Sequence, residues 1–573
     1  MSAYFVVVVL AGLIAALLAT RVSGVKAFAG ALGVLYFTGF ISTEQVLDKA
    51  TNLGVVTLIA LLLVSLGLEK LTILTTLSNR LMHANLAFSI MRLGLVTAIS
   101  SAFLNNTAVV ATLAGGVQRN HLHRPSKLLI VLSYTAIMGG TMTLIGTSTN
   151  LIVNSFLLDA GSSGFALFDF FPIGAAATLA GLLTLAAMTK ALPNHTVGDK
   201  AITDYLLEAE VTLGSSMVGR SVADNGLRDL NGLFLVEIVR DGQLITPVTP
   251  REVLQASDKL IFSGDVTRLH VLDEFDGLRS FAMEEGLLRS NLTEVIVLPG
   301  ATVEGRTIKA SGFRSLFDAA VVGVSRGGLP LSGKLGEIEL RAGDSLILAV
   351  GPDFRRRNNL RRNFVVVDSK IDSGRVGGVQ SASMLFGLAA VVTGAALGWF
   401  QLVSGLALLL TFMLAIGSVS VRELRRRFPF DLWLIITSAL CVSQALADTG
   451  LVSHLVAATQ VLSGNLNPMY ALIAVYLLSL LMTELMTNTA AAALIFPLAA
   501  SLAGALNVDV LPFAAAVAFG ASASFLTPFG YTTNLMVQNM GGYRVSDYLR
   551  IGAPVSLVYT VIALSLIPLV FPF

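Results

Sequence analysis

Apolar segments long enough to cross a lipid bilayer recur toward both ends of this 573-residue chain, and they constrain its fold more than any other feature. A transmembrane helix needs about 20 consecutive apolar residues. Only 13% of the residues are charged, whereas soluble domains average about 25%. The sequence therefore predicts an all-α polytopic membrane protein. The candidate spans lie near residues 2–20, 27–42, 51–68, 128–158, 169–190, 380–399, 402–419, 430–447, 511–540 and 550–571.

A charged segment, residues 195–372, separates the two groups of apolar segments and contains no apolar run of membrane length. Its motifs repeat 86 residues apart, so that Asp258-Lys-Leu-Ile-Phe corresponds to Asp344-Ser-Leu-Ile-Leu. Short runs of β-forming residues dominate the segment. We predict a soluble insert of two tandem α/β modules, at residues 199–285 and 286–370.

Two further apolar stretches, residues 86–117 and 468–507, are interrupted in the middle by Asn-Thr sequences. Cytoplasmic loops collect Lys and Arg. If each stretch were an ordinary span, the basic loops would scatter to both sides of the membrane. If each is a re-entrant hairpin, every strongly basic segment falls on one side. We therefore predict two hairpins, the first entering from the cytoplasm and the second from outside, with a cytoplasmic insert and both termini external.

The two membrane halves, residues 1–194 and 375–573, repeat one another in order. Phe103-Leu-Asn-Asn-Thr in the first hairpin corresponds to Leu485-Met-Thr-Asn-Thr in the second. Each half has five predicted spans and one hairpin, and the two hairpins enter from opposite sides. The sequence thus predicts an inverted-topology repeat. This architecture is typical of secondary transporters, whose site lies near the midplane at broken elements.

Polar sequences inside the apolar segments predict where the site lies. Amides and hydroxyls are costly to place in hydrocarbon, and irregular backbone is tolerated there only beside protein or a cavity. The two hairpin tips, and the breaks at residues 146–150 and 530–534, would free carbonyl oxygens for Na⁺ and point helix N-termini at an anion. No Lys or Arg lies in these four elements. We therefore expect the anion to be held by dipoles, hydroxyls, amides and co-bound cations, which predicts obligatory cation coupling.

The tips Ser101-Ala-Phe-Leu-Asn-Asn-Thr-Ala and Thr483-Glu-Leu-Met-Thr-Asn-Thr-Ala resemble those of the divalent anion:Na⁺ symporter family, which includes sodium–sulfate and sodium–dicarboxylate carriers. That family has Ser-Asn-Thr at each tip, and here Asn105 and Thr487 replace the serines. The resemblance implies a homodimer that works by an elevator motion. It implies one Na⁺ site at Ser101, Asn105, Asn106 and Gly146, and another at Thr483, Thr487, Asn488 and Gly530. It also implies substrate contacts from Asn106, Thr107, Thr147, Ser148, Asn488, Thr489, Tyr531 and Thr532.

The insert is similar to the TrkA-C (RCK-C) modules of bacterial potassium systems. Paired modules inside a divalent-anion carrier resemble the microbial and algal sulfate-carrier branch, which favours sulfate over a dicarboxylate such as succinate, malate or citrate. Some of these modules bind a cyclic dinucleotide, so a small ligand of this kind is a hypothesis for the insert. The resemblance further implies a multi-pass protein of the bacterial inner (plasma) membrane.

The sequence contains no Ser-His-Asp set, phosphate loop or metal cluster, so we predict no enzyme activity, no metal other than the coupling Na⁺ and no organic cofactor. The net charge of +2 gives no basis for binding a nucleic acid polymer. Two other functions stay open, an arsenite-type efflux carrier and an RCK-gated ion channel. Glu484 is an intramembrane carboxylate and hence a candidate functional group. Its other interpretation is a structural hydrogen bond to neighbouring backbone.

Overall fold

The structure is a computed structural model, and it describes most of the chain. Predictions that concern residues 69–80, 367–377 and 450–466 lie outside the described residues. The described residues are 2–18, 24–68, 81–118, 120, 122–195, 206–227, 230, 233–241, 243–245, 248–264, 275, 277–281, 292–298, 301–326, 329–331, 335–351, 353–354, 357, 359–366, 378–449 and 467–573.

Apolar helices form the first membrane half, and their bounds follow the hydropathy of the sequence closely. The predicted span at residues 128–158 is two helices, because residues 141–147 interrupt it. The helices are α1 (Ser2–Leu18), α2 (Gly24–Phe37), α3 (Thr43–Ala50), α4 (Leu53–Leu68), α5 (Leu86–Ser101), α6 (Asn106–Gln118), α7 (Pro125–Gly140), α8 (Ser148–Asp159) and α9 (Phe171–Ala187).

The insert and the second membrane half follow. The predicted span at residues 511–540 is again divided into two helices, by residues 523–531. The insert contributes the short helices α10 (Phe313–Phe317) and α11 (Leu360–Asn363). The second half contains α12 (Gly378–Ala396), α13 (Leu402–Ala415), α14 (Val421–Arg426), α15 (Phe430–Asp448), α16 (Pro468–Leu485), α17 (Asn488–Leu506), α18 (Val510–Ser522), α19 (Thr532–Gly541) and α20 (Val545–Val570).

Two short helices lie in segments that hydropathy assigns to loops. Helix α3 begins with a capping box, in which Ser42 accepts from the backbone N–H of Gln45 and the Gln45 side chain accepts from that of Ser42. Helix α14 is capped by Ser420, which accepts from the N–H of Glu423. Such caps satisfy N–H groups that the first helical turn leaves unpaired. Side-chain caps therefore stabilise helices in these polar segments, where the pattern of apolar residues predicts none.

Length and apolarity alone qualify only some of the described helices as spans. Helices α16, α17 and α20 qualify singly, and α3 with α4 forms a fourth span if the 41° bend between them is ignored. The apolar stretches of the other described apolar helices have 10–17 residues. Both arms of the second hairpin are therefore as long as a span. Its re-entrant path stays a prediction.

The helices of the two halves pack across one another around the interrupted segments. Helix α5 packs against α7, and α16 packs against α18. Helix α8 of the first half contacts α17 and α18 of the second half, whereas α19 of the second half contacts α6 and α7 of the first. Each helix that follows a break thus lies against the hairpin of the other half.

Two five-stranded antiparallel sheets form the core of the insert. Their strand orders, β3-β2-β4-β1-β5 and β8-β7-β9-β6-β10, are the same when each strand is compared with the one five places later. Small apolar side chains, including Val236 and Val322, pack the two sheets together. The strands are β1 (Leu206–Val211), β2 (Leu233–Arg240), β3 (Gln243–Ile245), β4 (Lys259–Gly264), β5 (Leu278–Phe281), β6 (Leu292–Val297), β7 (Ala319–Arg326), β8 (Leu329–Pro330), β9 (Ser345–Val350) and β10 (Phe364–Val366).

Each sheet contains an Arg–Asp ion pair at the corresponding position. Arg240 donates to the buried carboxylate of Asp258 at 2.8 Å, and Arg326 donates to that of Asp344 at 2.7 Å. The hydrogen bond with Asp258 raises the pKa of Arg240, and that with Asp344 raises the pKa of Arg326, because each carboxylate stabilises the charged guanidinium. The 86-residue sequence repeat of the insert thus corresponds to two structurally equivalent sheets.

Candidate functional site

Both hairpins turn on a polar residue that caps the returning helix. Asn105 accepts from the N–H of Thr107 at 2.9 Å and so caps α6. Thr487 is the N-cap of α17 and accepts from the N–H of Ala490 at 3.4 Å. Asn, Thr and Ser are all good N-cap residues. The capping role explains why Asn105 and Thr487 can stand where a serine was expected.

Oxygen atoms converge beside the first tip, around Gly146. The Ser101 hydroxyl oxygen lies 2.5 Å from Asn106 Oδ1 and 2.8 Å from the carbonyl oxygen of Ala136, and its single proton is donated to one of them. A Cβ placed on Gly146 would lie 2.5 Å from the Gly140 carbonyl, 2.9 Å from that of Ser101 and 3.0 Å from that of Ala102. Only glycine allows this approach of carbonyl oxygens. Neutral oxygens of this kind are the ligands a hard cation prefers.

A corresponding close approach occurs beside the second tip, around Gly530. A Cβ on Gly530 would lie 2.2 Å from the Ser524 hydroxyl and 2.3 Å from the Thr483 carbonyl. Both Thr483 and Ser524 are buried, and their hydroxyl oxygens have no hydrogen-bond partner in the part of the chain that the structure describes. Ser524 was not predicted as a site residue. Thr487, which was, is exposed and serves as the cap.

The polar side chains of the two halves meet between the tips. Asn106 Nδ2 donates to the Tyr531 hydroxyl at 2.8 Å, and Thr147 Oγ1 lies 2.9 Å from the same hydroxyl. Asn488 Nδ2 donates to Thr149 Oγ1 at 2.9 Å. Each tip asparagine thus bonds to the break of the other half. Thr149 was missed by the sequence reasoning, although it lies inside the predicted break.

The N-termini of α8 and α19 face into the broken segments without side-chain caps. The N-cap residues Thr147 and Tyr531 make no capping hydrogen bond. Ser148 and Thr532 are the first residues of these helices and are half-buried. Thr107 and Thr489 occupy the second positions of α6 and α17 and are also half-buried. Four helix N-termini, whose partial charge is positive, therefore start at the tips and breaks.

Two asparagines that were not singled out hold the breaks in shape. Asn150 Nδ2 donates to the Thr143 carbonyl at 2.9 Å. Asn534 Nδ2 donates to the carbonyls of Ser524 at 2.9 Å and Thr527 at 3.3 Å. These amides satisfy carbonyl groups that the interrupted helices leave unpaired. Asn150 and Asn534 occupy corresponding positions in the two repeated segments, and this correspondence could have identified them from the sequence.

Glu484 braces the second break. Its Oε1 accepts from the backbone N–H groups of Phe525 at 2.9 Å and Leu526 at 2.8 Å. Its Oε2 accepts from the Thr527 hydroxyl at 2.8 Å. These bonds correspond to the structural interpretation of this carboxylate. No basic side chain is paired with it among the described contacts.

Comparisons with known proteins place these features in a transport context. The family model for citrate transporters matches residues 5–520. The chain is 28% identical over 567 residues to an uncharacterized transporter of Synechocystis sp., covering 94% of this chain and 92% of the relative. It is 30% identical over 380 residues to sodium/sulfate cotransporter 1 of Chlamydomonas reinhardtii, covering 63% of this chain and 42% of the relative. It is 23% identical over 150 residues to a sodium-dependent dicarboxylate transporter of Staphylococcus saprophyticus, covering 26% of this chain and 29% of the relative.

Proposed function

The chain belongs to the citrate transporter family, and from this premise we propose that it is a secondary active transporter that carries a small divalent oxyanion, sulfate first, together with Na⁺. The family consists of transporters, so the chain is a multi-pass membrane protein and not an enzyme. The observation that carries the proposal is the crossed bonding of the site. Asn106 bonds to Tyr531 and Asn488 bonds to Thr149, so both tips and both breaks enclose one region.

The donors at this region suit an anion accompanied by cations. The four polar elements contain hydroxyls, amides and helix N-termini but no Lys or Arg. An anion bound there without a basic side chain needs positive charge from another source. Na⁺ at the oxygens around Gly146 and Gly530 would supply it. Binding of either ion would then favour binding of the other, which is thermodynamic coupling.

We assign the residues to three sets. The anion set comprises Asn106, Thr107, Thr147, Ser148, Asn488, Thr489, Tyr531 and Thr532. The first Na⁺ set comprises Ser101, Asn105, Asn106 and Gly146. The second comprises Thr483, Thr487, Asn488 and Gly530. The capping bonds of Asn105 and Thr487 mean that these two would act mainly by fixing the tips.

Alternating access would come from the two halves moving as inverted repeats. The packing of α8 on the second hairpin and α19 on the first supports this, because corresponding helices make corresponding contacts. We propose an elevator motion within a homodimer in the bacterial inner membrane. The insert would be cytoplasmic and both termini external, as the distribution of Lys and Arg predicts.

The insert is proposed to be a pair of TrkA-C-like modules that sense a small ligand. A cleft of about 820 Å³ lies between the two sheets, with Lys309 and Arg314 among its lining residues. Glu337 also lines the cleft, and the two basic residues beside apolar walls would contact an anionic, partly apolar molecule such as a cyclic dinucleotide. Titration calorimetry of the full chain with cyclic di-AMP tests this, and the absence of heat would remove that ligand.

Uptake of radiolabelled sulfate into proteoliposomes tests the transport proposal. We expect accumulation when Na⁺ is higher outside, with competition by unlabelled sulfate and none by succinate. Accumulation of succinate or malate instead would change the substrate to a dicarboxylate. Sulfate movement that never exceeds equilibrium would favour the gated channel. Absence of Na⁺-driven movement of all three, with arsenite extruded, would favour the efflux carrier.

A further inference from the structure

Among the described residues, three buried hydroxyls of helix α16, helix α18 and the second break lack hydrogen-bond partners. They belong to Thr483, Ser522 and Ser524, each with no exposed surface. A buried hydroxyl without a partner costs free energy, and such groups are uncommon in folded proteins. Thr483 and Ser524 come from two elements that meet at Gly530, and unsatisfied oxygens on residues brought together in this way point to a ligand that needs acceptors.

The Ser524 hydroxyl is close enough to the Thr483 carbonyl for both to contact one ion. Each lies within 2.3 Å of the same point, the Cβ position of Gly530. The two oxygens are therefore at most about 5 Å apart. Hard cations such as Ca²⁺ hold oxygens at about 2.3–2.6 Å. Two oxygen ligands of one ion can therefore be up to about 5 Å apart.

The first half shows which oxygen Ser524 replaces. Gly140 stands six residues before Gly146, as Ser524 stands six residues before Gly530. A Cβ on Gly140 would lie 2.6 Å from Asn106 Oδ1, so the asparagine oxygen occupies the space that a side chain at this position would take. In the first half, glycine makes room for the oxygen of the tip asparagine.

The tip asparagine of the second half makes a different bond. Asn488 donates to Thr149 Oγ1 of the first half. The position next to Gly530 is occupied by the Ser524 hydroxyl. At corresponding positions, the first half has the Asn106 Oδ1 atom beside Gly140, and the second half has Ser524, which carries its own hydroxyl oxygen.

We propose that Ser524 is a ligand of the second Na⁺ site, where its hydroxyl oxygen supplies the contact that Asn106 supplies to the first. The inference rests on the proposed Na⁺-coupled function. It makes the two cation sites chemically unequal, with an amide oxygen at one and a hydroxyl at the other. It also leaves Asn488 available to the anion.

The test measures Na⁺ binding through thermal stability and does not depend on transport. The unfolding temperature of the purified full chain is followed as NaCl replaces choline chloride at constant ionic strength. In Ser524→Ala we expect about tenfold more Na⁺ at the half-maximal stabilisation, from loss of one bond to a charged group. In choline chloride the variant should unfold no earlier than the wild type, because the removed hydroxyl has no partner there.

Ser479→Ala is the matched control. Ser479 is also fully buried, but its hydroxyl donates to the Val475 carbonyl in the same helix. It should leave the Na⁺ response unchanged. A wild-type Na⁺ response in Ser524→Ala, or unfolding of that variant at lower temperature in choline chloride, would overturn the inference alone. A wild-type protein that Na⁺ does not stabilise would count against the proposed function itself, and the inference would fall with it.

Discussion

The hydroxyl of Tyr531 accepts a hydrogen bond from Asn106 Nδ2 at 2.8 Å, between residues 425 positions apart in the chain. Tyr531 belongs to the break of the second half, and Asn106 begins the returning helix of the first hairpin. The contact joins the two halves at the point where four irregular elements meet. Both halves therefore contribute to the candidate site. A substitution at either residue should remove a hydrogen bond of the other.

Removing this hydroxyl tests its part in binding. Tyr531→Phe leaves the Asn106 amide and the Thr147 hydroxyl without their shared partner. At about 1 kcal/mol per hydrogen bond, we expect the KM for sulfate to rise about tenfold with the fold retained. Uptake kinetics and the unfolding temperature check this. Tyr476→Phe is the control. The Tyr476 hydroxyl lies 3.2 Å from the Thr560 hydroxyl, which belongs to neither a tip nor a break. Equal kinetics in the two variants would contradict the account.

The two tip asparagines should be required for transport but not for folding. Asn106→Ala and Asn488→Ala each remove an amide that faces the other half, and we expect uptake to fall about 10- to 100-fold, as for bonds to charged groups. Asn85→Ala is the control, since Asn85 only caps α5. That change should lower stability by about 1 kcal/mol and spare uptake. Wild-type uptake in both tip variants would mean that the tips are structural.

A methyl group at Gly530 should block the proposed second cation site. Its carbon would lie 2.2 Å from the Ser524 hydroxyl and 2.3 Å from the Thr483 carbonyl, which no side chain can tolerate. We expect Gly530→Ala to lose Na⁺-dependent stabilisation and uptake. Gly504→Ala meets nothing within 4 Å in helix α17. It should raise stability by about 0.5–1 kcal/mol. Normal Na⁺ dependence in Gly530→Ala would show that no ion binds there.

Glu484 should act on stability more than on transport chemistry. Glu484→Ala leaves the backbone N–H groups of Phe525 and Leu526 without an acceptor, whereas the Thr527 hydroxyl keeps the Glu484 backbone carbonyl at 3.2 Å. Each orphaned group costs about 1–3 kcal/mol, so the unfolding temperature should fall markedly. Glu484→Gln keeps one acceptor oxygen and should be milder. If Glu484→Gln kept full stability but lost Na⁺ affinity, the carboxylate would be part of the cation site.

Much of the candidate site could be proposed from the sequence, because its polar residues lie close together in the chain and recur in both halves. The Asn-Thr pairs and the glycines of the breaks stand out against apolar sequence in both halves, so Asn106, Asn488, Gly146 and Gly530 could be named. Ser524 could not, because it is an ordinary residue of an apolar segment. Its proposed role depends on tertiary contacts, because Asn488 bonds to Thr149 and the Ser524 hydroxyl lies beside Gly530.

The fold followed a similar division. Helix bounds were predictable from hydropathy, since burial in lipid or protein needs continuous apolar sequence. Helix α3 was missed although Ser42 and Gln45 carry the spacing of a capping box. The helix is polar, so hydropathy alone assigns its residues to a loop. The path of the second hairpin is not fixed by composition, because α16 and α17 are each long and apolar enough to span.

The most direct test of Na⁺ coupling is to reverse the driving force. Proteoliposomes holding the purified protein would be given equal Na⁺ on both sides, an inward sulfate gradient and a trace of radioactive Na⁺. The account predicts that sulfate drives accumulation of labelled Na⁺ above equilibrium, and that Asn106→Ala reduces this accumulation as strongly as it reduces sulfate uptake. Sulfate entry with no net movement of Na⁺ would contradict the coupled mechanism.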